Sequence, residues 1–231
     1  MADSATLSGN LTVNDRLVLT QMQDDKYGLD AHVKLLIHSD TTDGSTTFTD
    51  SSRLGTHTIT AAGGAQHKTA QYKFGATSIY FDGTGDYLTI PASADFDFMA
   101  DTNDWTIDFW MYSTTALSSG SGPTFLGIGG EGDANADGWN IGYYGSGFQP
   151  TISGMSGGST AHSWSWSNKM LYVTTFSANT WYHLTWVRSS GIFYGFIDGV
   201  KVFEVSGETN AIVSAPTSTL EIGRNKYGKY S

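Results

Sequence analysis

The chain has 231 residues, a net charge of -10, 28 Gly and only 4 Pro, which fits one large sheet domain with many turns better than a disordered chain. With no Cys it has no disulfides, no thiol chemistry and no cysteine-ligated zinc. The acidic balance, with 12 Lys and Arg scattered and not gathered in a stripe, excludes nucleic-acid binding.

The opening MADSATLSGN has neither a basic region nor an apolar run, and nowhere do about 18 apolar residues follow one another as a membrane helix needs. The expectation is a soluble chain without an ordinary export signal, made in the cytoplasm and spanning no membrane. In LSGNLTVNDRLVLT, Leu11 and Val13 share a face, Asn14 and Asp15 turn the chain, and Leu17 and Leu19 share a face. Such a hairpin has too little apolar surface to stand alone, so it is expected to pack on another copy or another protein. Residues 1–29 then form an attachment and oligomerisation arm with its linker, and 30–231 the main domain. The alternative makes the N-terminus an edge hairpin of that domain.

From His32 the pattern becomes regular. VKLLIHSD reads as a strand, TTDGSTTFTDSSRLG as a polar loop, HTITA as a short strand before a Gly-Gly turn. Ile79 and Phe81 alternate with Ser78 and Tyr80, Asp82, Gly83 and Gly85 turn the chain, and Tyr87 to Ile90 returns as a strand. Ala94 to Ala100 is the one stretch with a helical turn. In DWTIDFWMYST, Trp105, Ile107, Phe109 and Met111 share one face and Thr106, Asp108, Trp110 and Tyr112 the other.

The strongest local pattern is WYHLTWVRSSGIFYGFIDGVKV, Trp181 to Val202. Trp181, His183, Thr185 and Val187 alternate with Tyr182, Leu184, Trp186 and Arg188, Ser189 to Gly191 turns, and Ile192 to Ile197 reads as a central strand. Asp198-Gly199 is a tight hairpin turn into Val200, Val202 and Val205. Short strands at this spacing, separated by turn residues, imply an all-β sandwich or barrel.

In order, VKLLIHSD, KFGATSIYFDGTGDYLTIP, DWTIDFWMY, WYHLTWVR, GFIDGVKV and LEIGR resemble the laminin-G-like group of concanavalin A-like jelly rolls, over most of Asp30 to Arg224. The resemblance implies an all-β jelly-roll sandwich with a lectin-like surface. The aliphatic opening strand, the TTFTDSS loop and the FDGTGDYL turn are similar to domains of bacteriophage structural proteins, and GNLTVND is similar to segments of phage fibre and tail proteins. This implies a virion component, exposed on the particle as fibre, tail or decoration protein, bound to other virion proteins through the arm and oligomeric. The alternative is a free bacterial lectin-like adhesin. Family members continue past the IGR strand into one more strand, whereas this chain ends at Ser231, so a truncated sequence or a neighbouring chain over that edge is expected.

Three kinds of chemistry have candidates. Catalysis is not expected: the Glu residues 131, 204, 208 and 221 lack the E-x-D-x-x-E pattern of hydrolases with this fold, which leaves Asp104 with Asp108, at even spacing on one face, as the atypical acid pair of a less favoured glycoside-hydrolase alternative. No G-x-S-x-G, H-E-x-x-H or phosphate loop occurs. For calcium, Asp133, Asn135 and Asp137 stand at alternate positions before Gly138, but Tyr144 occupies the twelfth place where a bidentate Glu belongs, leaving an ordinary turn as the other reading. Asp82 and Asp86 are a second calcium candidate implied by the resemblance, again against a structural turn. For glycans, Trp139, Tyr143 and Tyr144, and Trp164 and Trp166 of AHSWSWSN, offer aromatic faces, with core packing as the alternative for the last two.

Overall fold

The computed structural model describes residues 32–53, 57–98, 103–118, 120–128, 139–145, 147–151, 153–156, 160–163, 175–206 and 217–224. In chain order its strands are β1 (Phe48–Thr49), β2 (Thr58–Ala62), β3 (Gln66–Lys68), β4 (Ser78–Tyr80), β5 (Tyr87–Ile90) and β6 (Trp105–Ser113). Then come β7 (Leu117–Ser118), β8 (Gly120–Ile128), β9 (Trp139–Gly145), β10 (Gly147–Thr151), β11 (Ser153–Ser156) and β12 (Thr160–Ser163). The last are β13 (Thr175–Phe176), β14 (Thr180–Ser189), β15 (Ile192–Ile197), β16 (Val200–Val205) and β17 (Leu220–Ile222). The fold is all-β and antiparallel, a jelly-roll sandwich; the described part of the 94–100 stretch, which ends at residue 98, holds a 3-10 turn, Ala94–Phe96, capped by the Ser93 hydroxyl. No helix among the described residues is long and apolar enough to cross a membrane.

The chain divides into two compact units, one of residues 1–38 and 48–58, the other of 39–47 and 59–231. In the first, VKLLIHSD is not a strand: only Ile37 bridges Asp50. The reason is that the Leu36 N–H goes to the Asp50 carboxylate at 3.2 Å and the Leu36 carbonyl to the Ser51 N–H at 2.6 Å, so contacts with a segment remote in sequence take the groups a ladder would use. The hairpin expected in residues 7–20 lies outside the described residues.

Asp50 is the knot of this unit. Burial alone pushes its carboxyl upward, but the N–H groups of Ser52, Leu36 and His57 and the Ser52 hydroxyl outweigh that and hold it below the ordinary 3.8. A depressed carboxylate contributes stability that is present above the unfolded value and lost as pH falls through the folded one. The stability difference between the protein and Asp50→Asn, read from urea midpoints, should therefore narrow as pH drops from 5 to below 3.8. A difference independent of pH would show that the carboxylate is not what these amides hold.

In the second unit one sheet runs β2-β5-β17-β8-β9-β10 and the other β16-β15-β14-β6. The β14-β15 and β15-β16 turns form because Ser190 and Gly191 (φ 52 and 77) and Asp198 and Gly199 (φ 51 and 77) take the left-handed conformation that two-residue hairpins need. Inside lie Leu88 and Ile90 of β5, Ile128 of β8, Ile141 of β9, Leu184 and Trp186 of β14, Phe203 and Val205 of β16, and Leu220 of β17. Phe109 of β6 joins the sheets, meeting Phe125 of β8 at 5.5 Å and Trp186 at 5.6 Å. The β15-β16 ladder slips at Gly195, and the ring of Phe203 fills the space a Cβ there would need, with its nearest carbon 2.0 Å from that position.

Candidate functional site

Alternation along β14 decides what the four-stranded sheet shows outward. Leu184, Trp186 and Arg188 are buried, so Trp181, His183, Thr185 and Val187 face away from the core. On β6 the partners in register with Trp181, His183 and Thr185 are Tyr112, Trp110 and Asp108, while Phe109 opposite Leu184 points inward. Residues remote in sequence thus become direct neighbours on one exposed face.

The centre of that face is His183. Its ring stacks on Trp110 at 4.9 Å and 21°, and its Nε2 lies 3.0 Å from Asp108 Oδ2. A carboxylate only accepts, so Nε2 is the donor. The backbone beneath is fixed by Asp198, whose carboxylate accepts the His183 N–H at 2.8 Å while its own N–H donates to the His183 carbonyl at 2.9 Å. Trp110 also carries the edge of Phe74 at 5.5 Å and the Lys73 ammonium 4.3 Å from its centre. One step along the strands, Tyr112 packs on Trp181 at 5.3 Å and its hydroxyl donates to Asn179 Oδ1 at 3.1 Å.

The contributing loop is anchored, not loose. Asp40 Oδ1 accepts the Ala76 N–H at 2.8 Å, the Thr77 hydroxyl donates to the Ser39 carbonyl at 2.7 Å, and the Ser78 hydroxyl to the Gln71 carbonyl at 2.6 Å. Buried His67 adds to this by bonding the Ser39 hydroxyl through Nδ1 and the Thr47 carbonyl through Nε2. Held this way, the loop presents Phe74 at 67% and Tyr72 at 51% exposure.

Of the residues singled out from the sequence, Trp139, Asp82 and Asp86 lie outside this face. Trp139 is only 2% exposed; its indole N–H donates to the Phe96 carbonyl at 3.0 Å and its ring packs on Phe98, so it fills the core and cannot stack on a sugar. Tyr143 and Tyr144 stand in β9 opposite Phe148 and Gly147, with side chains outside the described residues, as are all of Trp164, Trp166, Asp133, Asn135 and Asp137. Asp86 is 2% exposed and its carboxylate accepts the N–H groups of Gly64 and of Asp82, the latter at 2.9 Å. Asp82 Oδ1 in turn accepts the Thr84 N–H at 2.6 Å. The carboxylates that the resemblance offered to calcium thus accept backbone amides of the turn. Among the described residues no group of three or more His, Asp and Glu gathers to hold a metal.

The outer-face cluster was missed by sequence reasoning, although one signal for it was present. Trp110 and Tyr112 on one strand and Trp181 and His183 on another occupy the alternate positions opposite the core set, where a solvated face would carry small polar residues.

No curated protein matches the sequence. Among solved structures, the binding domain of botulinum neurotoxin serotype C1 is similar at 16% identity and a TM-score of 0.54, over 84% of this chain and 43% of that one. The binding domain of Paraclostridial Mosquitocidal Protein 1 gives 17%, 0.53, 80% and 44%, and that of botulinum neurotoxin DC in complex with SialylT gives 16%, 0.51, 84% and 44%. The chain thus spans less than half the length of these toxin domains, and at such identity the likeness is one of fold. Residues 81–231 match the laminin-G form of the Concanavalin A-like lectin/glucanases superfamily, and the chain belongs to that family.

Proposed function

We propose that the protein is a non-catalytic, glycan-binding jelly roll displayed on a bacteriophage particle as a fibre, tail or decoration component. The observation that carries the glycan-binding part is the outer face of β6 and β14, where the half-buried rings of Trp110, Tyr112 and Trp181 and the exposed ring of Phe74 stand beside Asp108, His183 and Asn179. Rings that cover the apolar side of a sugar and groups that bond its hydroxyls are what such recognition needs. Tyr143, Tyr144, Trp164 and Trp166 belong to the same proposal as a second contact region. The toxin domains of similar fold are named as binding domains, which agrees with a jelly roll used to present a ligand surface.

Against hydrolysis stands the placement of the acids. Asp104 and Asp108 are four residues apart on extended chain, about 13 Å at roughly 3.3 Å per residue, wider than the about 5–9.5 Å that glycoside hydrolysis uses. Asp104 is also held by the Ser190 N–H at 2.8 Å.

The virion part rests on the TTFTDSS, FDGTGDYL and GNLTVND segments, with residues 1–29 as the arm that joins other virion proteins and a second copy. Electron microscopy of intact particles labelled with antibody against the chain should mark regular surface positions. A chain absent from particles, and monomeric after removal of residues 1–29, is instead a free bacterial adhesin. A glycan array probed with the full chain should give signal, and silence across the array overturns the glycan-binding part.

A further inference from the structure

We infer that the cluster of Phe74, His183 and Asp108 on the outer sheet face is a subsite for a neutral sugar, one bearing adjacent hydroxyls and no carboxylate. The inference rests on the glycan-binding reading and adds to it both a place and a ligand class. Three features carry it.

The first is which ring is open. Trp110 is already in contact with His183, Phe74 and Lys73, so it serves as the support of the cluster. Phe74, edge-on to Trp110 and held by a loop pinned through Asp40 and Thr77, is the ring left facing solvent, with Tyr72 two residues away. A rigidly mounted exposed ring loses little freedom when a ligand covers it.

The second is the hydrogen-bonding inventory. Asp108, with a side chain 57% exposed, gives Oδ2 to His183, and its Oδ1 has no partner among the described residues. Since Nε2 of His183 donates to Asp108, Nδ1 is the ring nitrogen left for a ligand. The Asp108 oxygen accepts from one sugar hydroxyl and the ring nitrogen bonds its neighbour, since a hydroxyl both donates and accepts, and charge assistance from the carboxylate strengthens the first bond.

The third is charge. At the cluster two carboxylates, Asp108 and Asp198, stand against one ammonium, Lys73, which is directed at the Trp110 ring. Farther along the sheet Lys201 is paired with Glu204 at 2.5 Å, and the whole chain carries -10. A carboxylated sugar would bring a further carboxylate up to Asp108 and Asp198, acceptors facing acceptors, whereas a neutral one meets neither penalty.

The test is a titration of the full chain against immobilised neutral gluco-, galacto- and manno-oligosaccharides and against glucuronate oligomers, galacturonate oligomers and sialyllactose. Phe74→Ala and Asp108→Asn, both at exposed positions, are compared with the parent after thermal melts confirm that they fold. Expected are binding to at least one neutral set, none of comparable strength to the carboxylated set, and a loss of about tenfold or more in each variant. Neutral binding undiminished in both variants overturns the subsite while leaving the glycan-binding reading intact. Preference for the carboxylated set, lost with Lys73→Ala, overturns the ligand class alone. Absence of binding to both sets and to a broader array overturns the glycan-binding reading, and the subsite with it.

Discussion

Trp186→Ala is expected to cost about 3–5 kcal/mol, the largest stability loss of any single change considered in this fold. Trp186 is 1% exposed, its ring lies nearly parallel to Phe109 at 26°, and Phe109 touches Phe125 of the opposite sheet. Deleting the indole removes both its transfer from water and the middle of a ring series that joins the two layers, and β strands paired on both sides cannot close the gap. For a chain of this size about 2–4 °C accompanies each kcal/mol, so the melting temperature should fall by about 6–20 °C. Trp181→Ala is the control, because that ring sits on the outer face against Tyr112. Equal losses for the two would mean that the inward and outward faces of β14 have been exchanged.

Arg224→Ala should rank second, at about 3 kcal/mol, the lower end for breaking an ion pair whose remaining member is buried. Glu221 is buried in β17 between β5 and β8, and Arg224 bonds it twice, Nε to Oε2 at 3.2 Å and Nη2 to Oε1 at 2.8 Å. The guanidinium also lies 3.3 Å from the centre of the Tyr87 ring. Removing Arg224 strands a carboxylate away from water, and Glu221→Gln with Arg224→Ala should recover part of the loss, since a neutral amide is cheaper to bury than an unpaired charge. A double variant no more stable than Arg224→Ala, by urea denaturation, would show that packing on Tyr87 and not the pair sets the effect. The same contact gives physical sense to two segments that marked the family. Gly223, at φ 91, leaves room for the Phe81 ring, and Arg224 clasps Tyr87, so LEIGR and YFDGTGDYL hold each other across the β17-β5 ladder.

What could be read from the sequence depended on how local its cause was. The hairpins from Thr180 to Val205 were legible because alternation and the Ser190-Gly191 and Asp198-Gly199 turns are properties of adjacent residues. VKLLIHSD misled, since its apolar run says nothing of Asp50, whose carboxylate takes an amide the strand would have used. The short polar β3 has no periodic signal, and its place comes from pairing with β4 and from buried His67. Trp139 looked available for a ligand together with Tyr143 and Tyr144, but the carbonyl that draws its indole inward belongs to Phe96, far back in the chain. The outer-face cluster was hidden for a related reason, as Trp110 and His183 meet only once β6 and β14 are known to pair in that register.

The close approach of Phe203 to Gly195 has a bearing on descent. Because the Phe203 ring occupies the volume of the missing Cβ, neither position can drift alone. Kindred sequences that place a side chain at 195 should carry a smaller residue at 203, and lineages that keep the aromatic ring should keep the glycine. Co-variation of these two sites would therefore mark which distant members retain the slipped β15-β16 ladder and which have straightened it.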